Sequence, residues 1–269
     1  MASDSAWQLR LFQKTLKKKL RLKALARHLG RIGAEEPCIL ITCGDNNGAM
    51  NYYLRGLGGR WTWADLERKS LGEMSEFLGE EVRLVAPEAL PYADRSFDRV
   101  VIIDVHEHLL DPRPFTRELR RITADAGRLL ITVPGGDRRK WVNRLKEAVG
   151  MTKEKYGHFR EGYSRTEMKA LMAEARIRPL AESTFSKFFT ELLELGINTL
   201  YVRVLAKKSR TRVEEGTIAP ATRDQVKSVE KTVKLYALVY PFFWLISRLD
   251  SLLFFSEGYV VIVEGQRQE

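Results

Sequence analysis

A chain of 269 residues, 44% apolar and 30% charged with nine prolines and nineteen glycines, has the length of one α/β domain carrying additions and excludes the disordered, collagenous and low-complexity classes. Its two cysteines, Cys38 and Cys43, lie five positions apart in an apolar run, too extended in a strand to bridge, which excludes a disulfide scaffold and a Cys/His zinc module. The net charge of +10 is concentrated: residues 1–31 carry nine cations (Arg10, Lys14, Lys17, Lys18, Lys19, Arg21, Lys23, Arg27, Arg31) against the single acid Asp4, while the rest of the chain is nearly neutral.

Residues 7–31 read as helix, with an apolar stripe that changes face. Leu9, Phe12, Leu16 and Leu20 recur at helical spacing, and Leu22, Leu25 and Leu29 begin a second stripe after a step of only two. One straight helix cannot bury both stripes on one flat surface. Three readings fit the segment: a helix packed on the domain with a solvated basic face, contact with an anionic membrane, and contact with nucleic acid. It lacks the compact apolar core of about 7–15 residues that a secretory signal needs, so a cytoplasmic location is expected, with the inner face of the membrane as a site of peripheral contact.

From Pro37 short apolar runs alternate with helical stretches: strands at Cys38–Cys43, Arg60–Ala64, Glu81–Val85, Arg99–Asp104 and Arg128–Val133, with helices at 48–57, 67–78, 112–122 and 139–150 between and after them. This rhythm predicts βαβ units and a doubly wound parallel sheet covered on both faces. A further helix spans Thr166–Ala175, with Ser164 as N-cap and Glu167 in the first turn, and Tyr259–Val263 reads as a buried strand returning to the sheet. Between Phe185 and Phe255 aromatic residues crowd in, split by a basic stretch from Lys207 to Lys234. The uncharged run Leu235–Ser247 has 13 residues and contains Pro241, against about 20 for a bilayer span; it suits an interface, a greasy pocket or a core helix. The chain thus divides into a basic helical arm (1–36), a core (37–184 with 257–269) and an aromatic-rich helical insertion (185–256).

In open α/β sheets ligands bind at the carboxyl ends of the strands, so the loops there carry the function. After the first strand, Cys43-Gly44-Asp45-Asn46-Asn47-Gly48 offers two glycines that let backbone approach a ligand at a helix N-terminus. Asp65, 17 residues after Gly48, ends the second strand, where an acid can accept from both ribose hydroxyls or cap the helix that Leu66-Glu67 begins. The stretches Leu90-Pro91-Tyr92…Ser96-Phe97-Asp98-Arg99-Val100, His106-Glu107-His108-Leu109-Leu110-Asp111-Pro112 and Gly127-Arg128-Leu129-Leu130-Ile131-Thr132-Val133-Pro134 follow in order, and Gly157-His158-Phe159-Arg160-Glu161-Gly162-Tyr163-Ser164 comes later. This succession resembles the class I S-adenosylmethionine-dependent methyltransferases, type 11-like, in particular the branch of quinone-biosynthesis and other small-molecule O- and C-methyltransferases. The resemblance covers residues 37–184 and the final strand.

The resemblance implies a mostly parallel, seven-stranded Rossmann-like sheet with an N-terminal basic helix and a helical insertion before the last strand. It implies S-adenosylmethionine as cofactor, held by Cys43, Gly44, Asp45, Gly48, Asp65, Leu66, Glu88, Ala89, Asp104 and Val105. Two departures stand out: the first strand reads Ile39-Leu40-Ile41-Thr42 without the family's acid near its end and is followed by Asn46 and Asn47 where a glycine is expected, and Ala86 replaces an acid. Methyl transfer needs mainly orientation, which can supply on the order of 7–11 kcal/mol, plus a base when the acceptor loses a proton. His106, just beyond the fourth strand, is the expected base or orienting group, with a buried, backbone-bonded histidine as the alternative; His158 and Tyr163 are the second candidates for substrate contact. His108 is expected to bond within its loop. Asp104, Glu107 and His108 resemble the acid-x-x-Glu-His metal site of some catechol and RNA-end methyltransferases, but ordinary metal-free members carry nearly the same letters, and no metal is expected.

Together these readings lead to methylation, at oxygen, of a hydrophobic, lipid-like or lipid-linked acceptor, with an anionic membrane surface as partner. In the bland alternative the insertion completes the core or makes a homodimer contact. Two rivals remain: a methyltransferase-like fold kept as a binding or scaffolding module, and a nucleic-acid methyltransferase. The latter is disfavoured because Asp104-Val105-His106-Glu107 is not the Pro-Pro-aromatic sequence that stacks a flipped base.

Overall fold

A computed structural model describes residues 6–44, 46–208 and 220–268. The cofactor candidate Asp45 and residues 209–219 of the basic stretch lie outside the described residues. Five apolar runs form parallel strands: β1 (Pro37–Thr42), β2 (Arg60–Asp65), β3 (Val82–Leu84), β4 (Phe97–Ile103) and β5 (Thr123–Pro134). Two more, β6 (Ile177–Phe185) and β7 (Val260–Arg267), complete a sheet of order β3-β2-β1-β4-β5-β7-β6 in which β7 runs antiparallel to both neighbours. The expected doubly wound sheet is present, and the last strand does return into it.

The central strands carry unbroken apolar stretches (Cys38–Ile41, Val100–Ile103, Leu129–Ile131) because both faces are covered. Ile39, Ile41, Val100, Ile102, Leu129 and Ile131 point to one face and meet Phe115, Leu119 and Ile122 of α5 (Arg113–Ile122) and Met168 and Met172 of α7 (Arg165–Glu174). Their strand neighbours Leu40, Val101, Ile103 and Leu130 point to the other, onto α3 (Ala49–Arg55) and α4 (Leu71–Leu78) and the N-terminal helices. Ser164 and Glu167 close a reciprocal capping box at the start of α7.

The shift of the N-terminal stripe is resolved by a break. The segment is two helices, α1 (Trp7–Gln13) and α2 (Lys17–Leu29), and the Thr15 hydroxyl donates to the Phe12 carbonyl at 2.8 Å where α1 ends. Each helix then buries its own stripe: Leu9 and Phe12 from α1, Leu25 and Leu29 from α2. His28 fastens α2 to the sheet edge through Ser183 at 2.8 Å and Glu264 at 3.1 Å. The basic face is only partly solvated, since Arg21 is buried and Lys17 pairs with Glu191 at 2.8 Å.

After α6 (Trp141–Ala148), the segment between β6 and β7 forms α8 (Phe188–Lys208), the short α9 (Arg223–Ser228) and α10 (Glu230–Ser247), with Pro241 inside α10. Tyr236 of α10 donates to the Lys14 carbonyl and Tyr240 lies under the ammonium groups of Lys14 and Lys19, 5.2 and 4.9 Å from the ring centre. The insertion thus rests on the junction of α1 and α2. Among the described residues no helix is long and apolar enough to cross a membrane.

Two residues expected at the chemistry are core residues instead. His106 opens a single 3-10 turn (His106–His108) and points under the sheet, fully buried against Phe115 and Tyr163, its Nε2 3.3 Å from the Thr116 hydroxyl. Tyr163 is buried too and donates its hydroxyl to the His106 carbonyl at 3.1 Å. Apolar packing around one turn overrides the expectation that a side chain just past β4 faces solvent. Burial pushes the His106 imidazole down to about 3 from its ordinary 6.5. Between those values the unfolded chain binds a proton that the folded chain refuses, so stability falls as pH drops below 6.5. Urea unfolding at pH 7 and pH 5 should show wild type losing about 2 kcal/mol more than His106→Gln across that interval. Equal losses would contradict the buried neutral imidazole.

Candidate functional site

The loop after β1 is organised by its own side chains. Asp65, fully buried at the end of β2, accepts from the Thr42 hydroxyl and from the backbone N–H groups of Gly44 (3.0 Å) and Glu67 (2.8 Å). Burial raises its carboxyl above the ordinary range, and these three donors oppose that rise. Asn46 donates to Thr42 (3.2 Å) and to Asn51 (2.8 Å), and the carboxamide oxygens of Asn46 and Asn47 accept from Gly48 and Ala49 at the start of α3. Side-chain amides thus satisfy N–H groups that a glycine-rich turn leaves open. Gly44, at φ +69°, has a Glu67 carboxylate where a Cβ would stand; Gly48, at φ +88°, has Phe77 there.

The end of β4 is the second pole. Asp104 turns the chain at φ +49°, a left-handed value that a short polar side chain tolerates. Its carboxylate meets the guanidinium of Arg21 from α2, and the Thr132 hydroxyl at 3.3 Å. Glu107 is fully buried, and burial raises its carboxyl well above the usual carboxylate range, with Asp104 adding to the rise. His108 donates Nδ1–H to the Gly157 carbonyl at 3.0 Å, and the Phe159 N–H donates to the Glu107 carbonyl at 2.9 Å. These bonds pin the His158 loop to the 3-10 turn, with the rings of His108 and His158 4.6 Å apart.

Between these poles and α8 lies a polar cleft of about 150 Å³, walled by Lys17, Lys18 and Arg21 of α2, by Glu67, Asp104 and Glu107, and by Glu191 and Glu194 of α8. Burial alone would raise the Glu191 carboxyl, but Lys17 and Lys146, joined by the Ser186 hydroxyl, overcome it and hold it down to about 2. A second cavity of about 430 Å³ opens beside the first and shares Lys18, Glu194 and Asn198 with it. Its lining is apolar: Leu192, Ile197, Val233, Val239 and Phe243 among others.

Of the expected residues, Cys43, Gly44, Asp104 and His158 line the polar cleft. Asp65 supports the loop from beneath, Val105 is buried, and Leu66 packs partly into the core. Glu88 and Ala89 are exposed and stand outside the cleft lining, as do the buried His106 and Tyr163. His108, expected to bond within its loop, instead bonds across to Gly157 in another loop and also faces the cleft. The cleft adds Lys17 and Arg21 of α2, Glu67 after β2, and Glu191 and Glu194 of α8, which no local pattern marks as site residues.

Residues 41–131 match a family described as a methyltransferase domain. No curated protein matches the chain. Among solved structures the fold is similar to a proposed methyltransferase of Bacillus halodurans C-125 (13% identity, TM-score 0.56, covering 92% of this chain and 99% of that one). It is also similar to an S-adenosylmethionine-dependent methyltransferase of Thermotoga maritima (17% identity, TM-score 0.55, covering 96% and 94%). A third is the geranyl diphosphate C-methyltransferase of Streptomyces coelicolor A3(2), solved with Mg²⁺, geranyl diphosphate and S-adenosyl-L-homocysteine (15% identity, TM-score 0.51, covering 92% and 78%). The matched domain and the strand order 3-2-1-4-5-7-6 agree: residues 41–131 match a methyltransferase domain, and the chain has the Rossmann-like methyltransferase fold.

Proposed function

We propose that this chain transfers a methyl group from S-adenosylmethionine to an oxygen of a hydrophobic, lipid-like or lipid-linked acceptor. The observation that carries the reading is the pairing of cavities: an apolar chamber of about 430 Å³ opens onto a charged cleft of about 150 Å³ at the carboxyl ends of the strands. An acceptor with a greasy body and a polar head fits that division. The isoprenoid diphosphate bound by the structurally similar Streptomyces enzyme has the same division of body and head.

The donor set suits a cationic cofactor. Glu67, Asp104 and Glu107 surround a place where the Arg21 guanidinium already sits. Room is the constraint, because a ligand of that size needs about 300 Å³ or more, so α2 with Arg21 has to draw back from Asp104 for the cofactor to enter. When bound, S-adenosylmethionine supplies a methyl group already activated on a sulfonium. The chain's task is then to orient and to dry the site. Asp104 and Glu67 hold positive charge, Gly44 permits close approach of backbone, and α2 and α8 cover the cleft. His108, with Nδ1 committed to Gly157, and His158 beside it face the cleft in place of the buried His106, as the groups that orient the acceptor's polar head.

Attachment to an anionic membrane belongs to the same proposal. Leu238, Phe242, Leu252, Phe254 and Phe255 are exposed by 65–85% on α10 and the turn that follows it, large apolar side chains of the kind that mark membrane contact when they cluster, and Arg248 lies between them in the chain.

Calorimetric titration with S-adenosylmethionine and S-adenosyl-L-homocysteine should show one site, tightened by Arg21→Ala, which removes the competing guanidinium. Absence of binding at millimolar ligand would favour the scaffold reading instead. Ile197→Trp fills the apolar chamber, and a long-chain acceptor should lose about tenfold in kcat/KM, or 1.4 kcal/mol, with the affinity for S-adenosyl-L-homocysteine unchanged; a uniform loss on short and long acceptors would argue for a soluble acceptor. Phe254→Ser/Phe255→Ser should lower co-sedimentation with phosphatidylglycerol vesicles at low salt, and equal sedimentation of variant and wild type would remove the membrane from the proposal.

A further inference from the structure

Glu107 stands out among the cleft acids. It is fully buried, and neither carboxylate oxygen has a hydrogen-bond partner among the described residues. Buried carboxylates are ordinarily bonded, because desolvating one without a partner is costly. Asp104, by contrast, has Arg21 and Thr132, and Glu191 has Lys17, Lys146 and Ser186. The free lone pairs of Glu107 lie beside two imidazoles: one ligand atom each from Glu107, His108 and His158 falls within 4.8 Å of the others.

Three features of this cluster match a prepared cation seat. First, the His108 Nδ1–H is spent on the Gly157 carbonyl, which fixes the tautomer and turns a lone pair on Nε2 outward, the outer bond that metal-binding histidines commonly make. Second, the two chain segments that carry the ligands are tied by the Phe159 N–H to the Glu107 carbonyl, so the backbone is positioned without a cation. Third, the neighbouring ammonium groups of Lys17 and Lys146 both lie on Glu191, which lessens their repulsion. With bonds of about 2.0–2.2 Å, ligand atoms in tetrahedral array are about 3.3–3.6 Å apart, so the cluster has to draw in from its present spacing of up to 4.8 Å.

We propose that Glu107, His108 and His158 bind a first-row divalent transition cation of the Zn²⁺ type, with an open position toward the cleft. Two imidazoles with one carboxylate suit such an ion, whereas Mg²⁺ and Ca²⁺ prefer all-oxygen sites. Asp104, placed near a metal by its sequence position, takes no part because it is held by Arg21. The open position faces the region where the polar head of the proposed acceptor lies; that last assignment rests on the methyl-transfer reading, while binding of the cation does not.

The test uses the full chain, stripped with a chelator and titrated separately with Zn²⁺, Co²⁺ and Mg²⁺. One equivalent of Zn²⁺ should bind, Co²⁺ should develop visible ligand-field absorption, and Mg²⁺ should not compete. Glu107→Gln, His108→Gln and His158→Gln should each weaken Zn²⁺ binding by tenfold or more, with circular dichroism confirming the fold. Should one variant fail to fold, the remaining two and the Co²⁺ spectrum of wild type decide. No stoichiometric Zn²⁺ binding, a Co²⁺ spectrum identical to the free ion, or affinity unchanged in the folded variants would overturn the site. A parallel titration of the stripped protein with S-adenosyl-L-homocysteine separates the outcomes, since cofactor binding without metal binding sinks only the cation seat.

Discussion

The contact between Arg21 and Asp104 governs how the rest of the molecule is arranged. It brings a cation from the N-terminal helices to the carboxyl end of the central strand β4, and Arg21 is buried there. Arg21 is the more buried member, so removing Asp104 would leave its charge poorly solvated and without that partner, which is costly. The pair therefore settles where α2 lies, and α2 in turn forms one wall of the polar cleft. In the proposed function the same carboxylate neighbours the cationic cofactor, so the N-terminal helix and the cofactor would compete for one electrostatic position.

Charge pairing also explains how so many ionised groups share a small space. Six acids and several cations line the cleft, yet the strongest pairs are nested: Lys17 and Lys146 on Glu191, Arg21 on Asp104. The Lys17 backbone N–H adds a bond to Glu194 at 3.0 Å, so the first turn of α2 is docked on α8 by main chain and side chain together. The apolar chamber begins on the other side of this seam, where Leu193 and Ile197 continue the same helix. One helix, α8, thus presents acids to the cleft and aliphatic residues to the chamber, and the boundary between polar and apolar space follows its surface.

The two loops at the strand ends show how tertiary contacts reassign residues that a pattern singles out. Asp65 has the position of a ribose-binding acid, and the donors Thr42, Gly44 and Glu67 on its oxygens show that it also shapes the loop. His106 and His108 are two residues apart in one 3-10 turn, and a turn of three residues per revolution sends them to different sides: His106 against Phe115, His108 toward Gly157 and the cleft. Which of the two meets the cleft depends on how the turn is set against α5, not on the letters of the loop.

The sequence by itself determined the sheet and its cover. Uninterrupted apolar runs such as Cys38–Cys43 and Arg99–Asp104 demand burial on both faces, the helical stretches between them demand parallel connections, and the misaligned stripes of residues 7–31 demand the break found at Lys14–Leu16. It also marked Gly44, Asp104 and His158, because residues at strand ends and ordered motifs are local features. Only the tertiary structure decided that Arg21 and Lys17 belong to the cleft, that Glu191 and Glu194 wall it from a helix more than 80 residues beyond β4, and that His106 and Tyr163 do not face it. Local periodicity fixes which face of an element is apolar, whereas contacts between elements far apart in sequence depend on where a buried charge finds its partner.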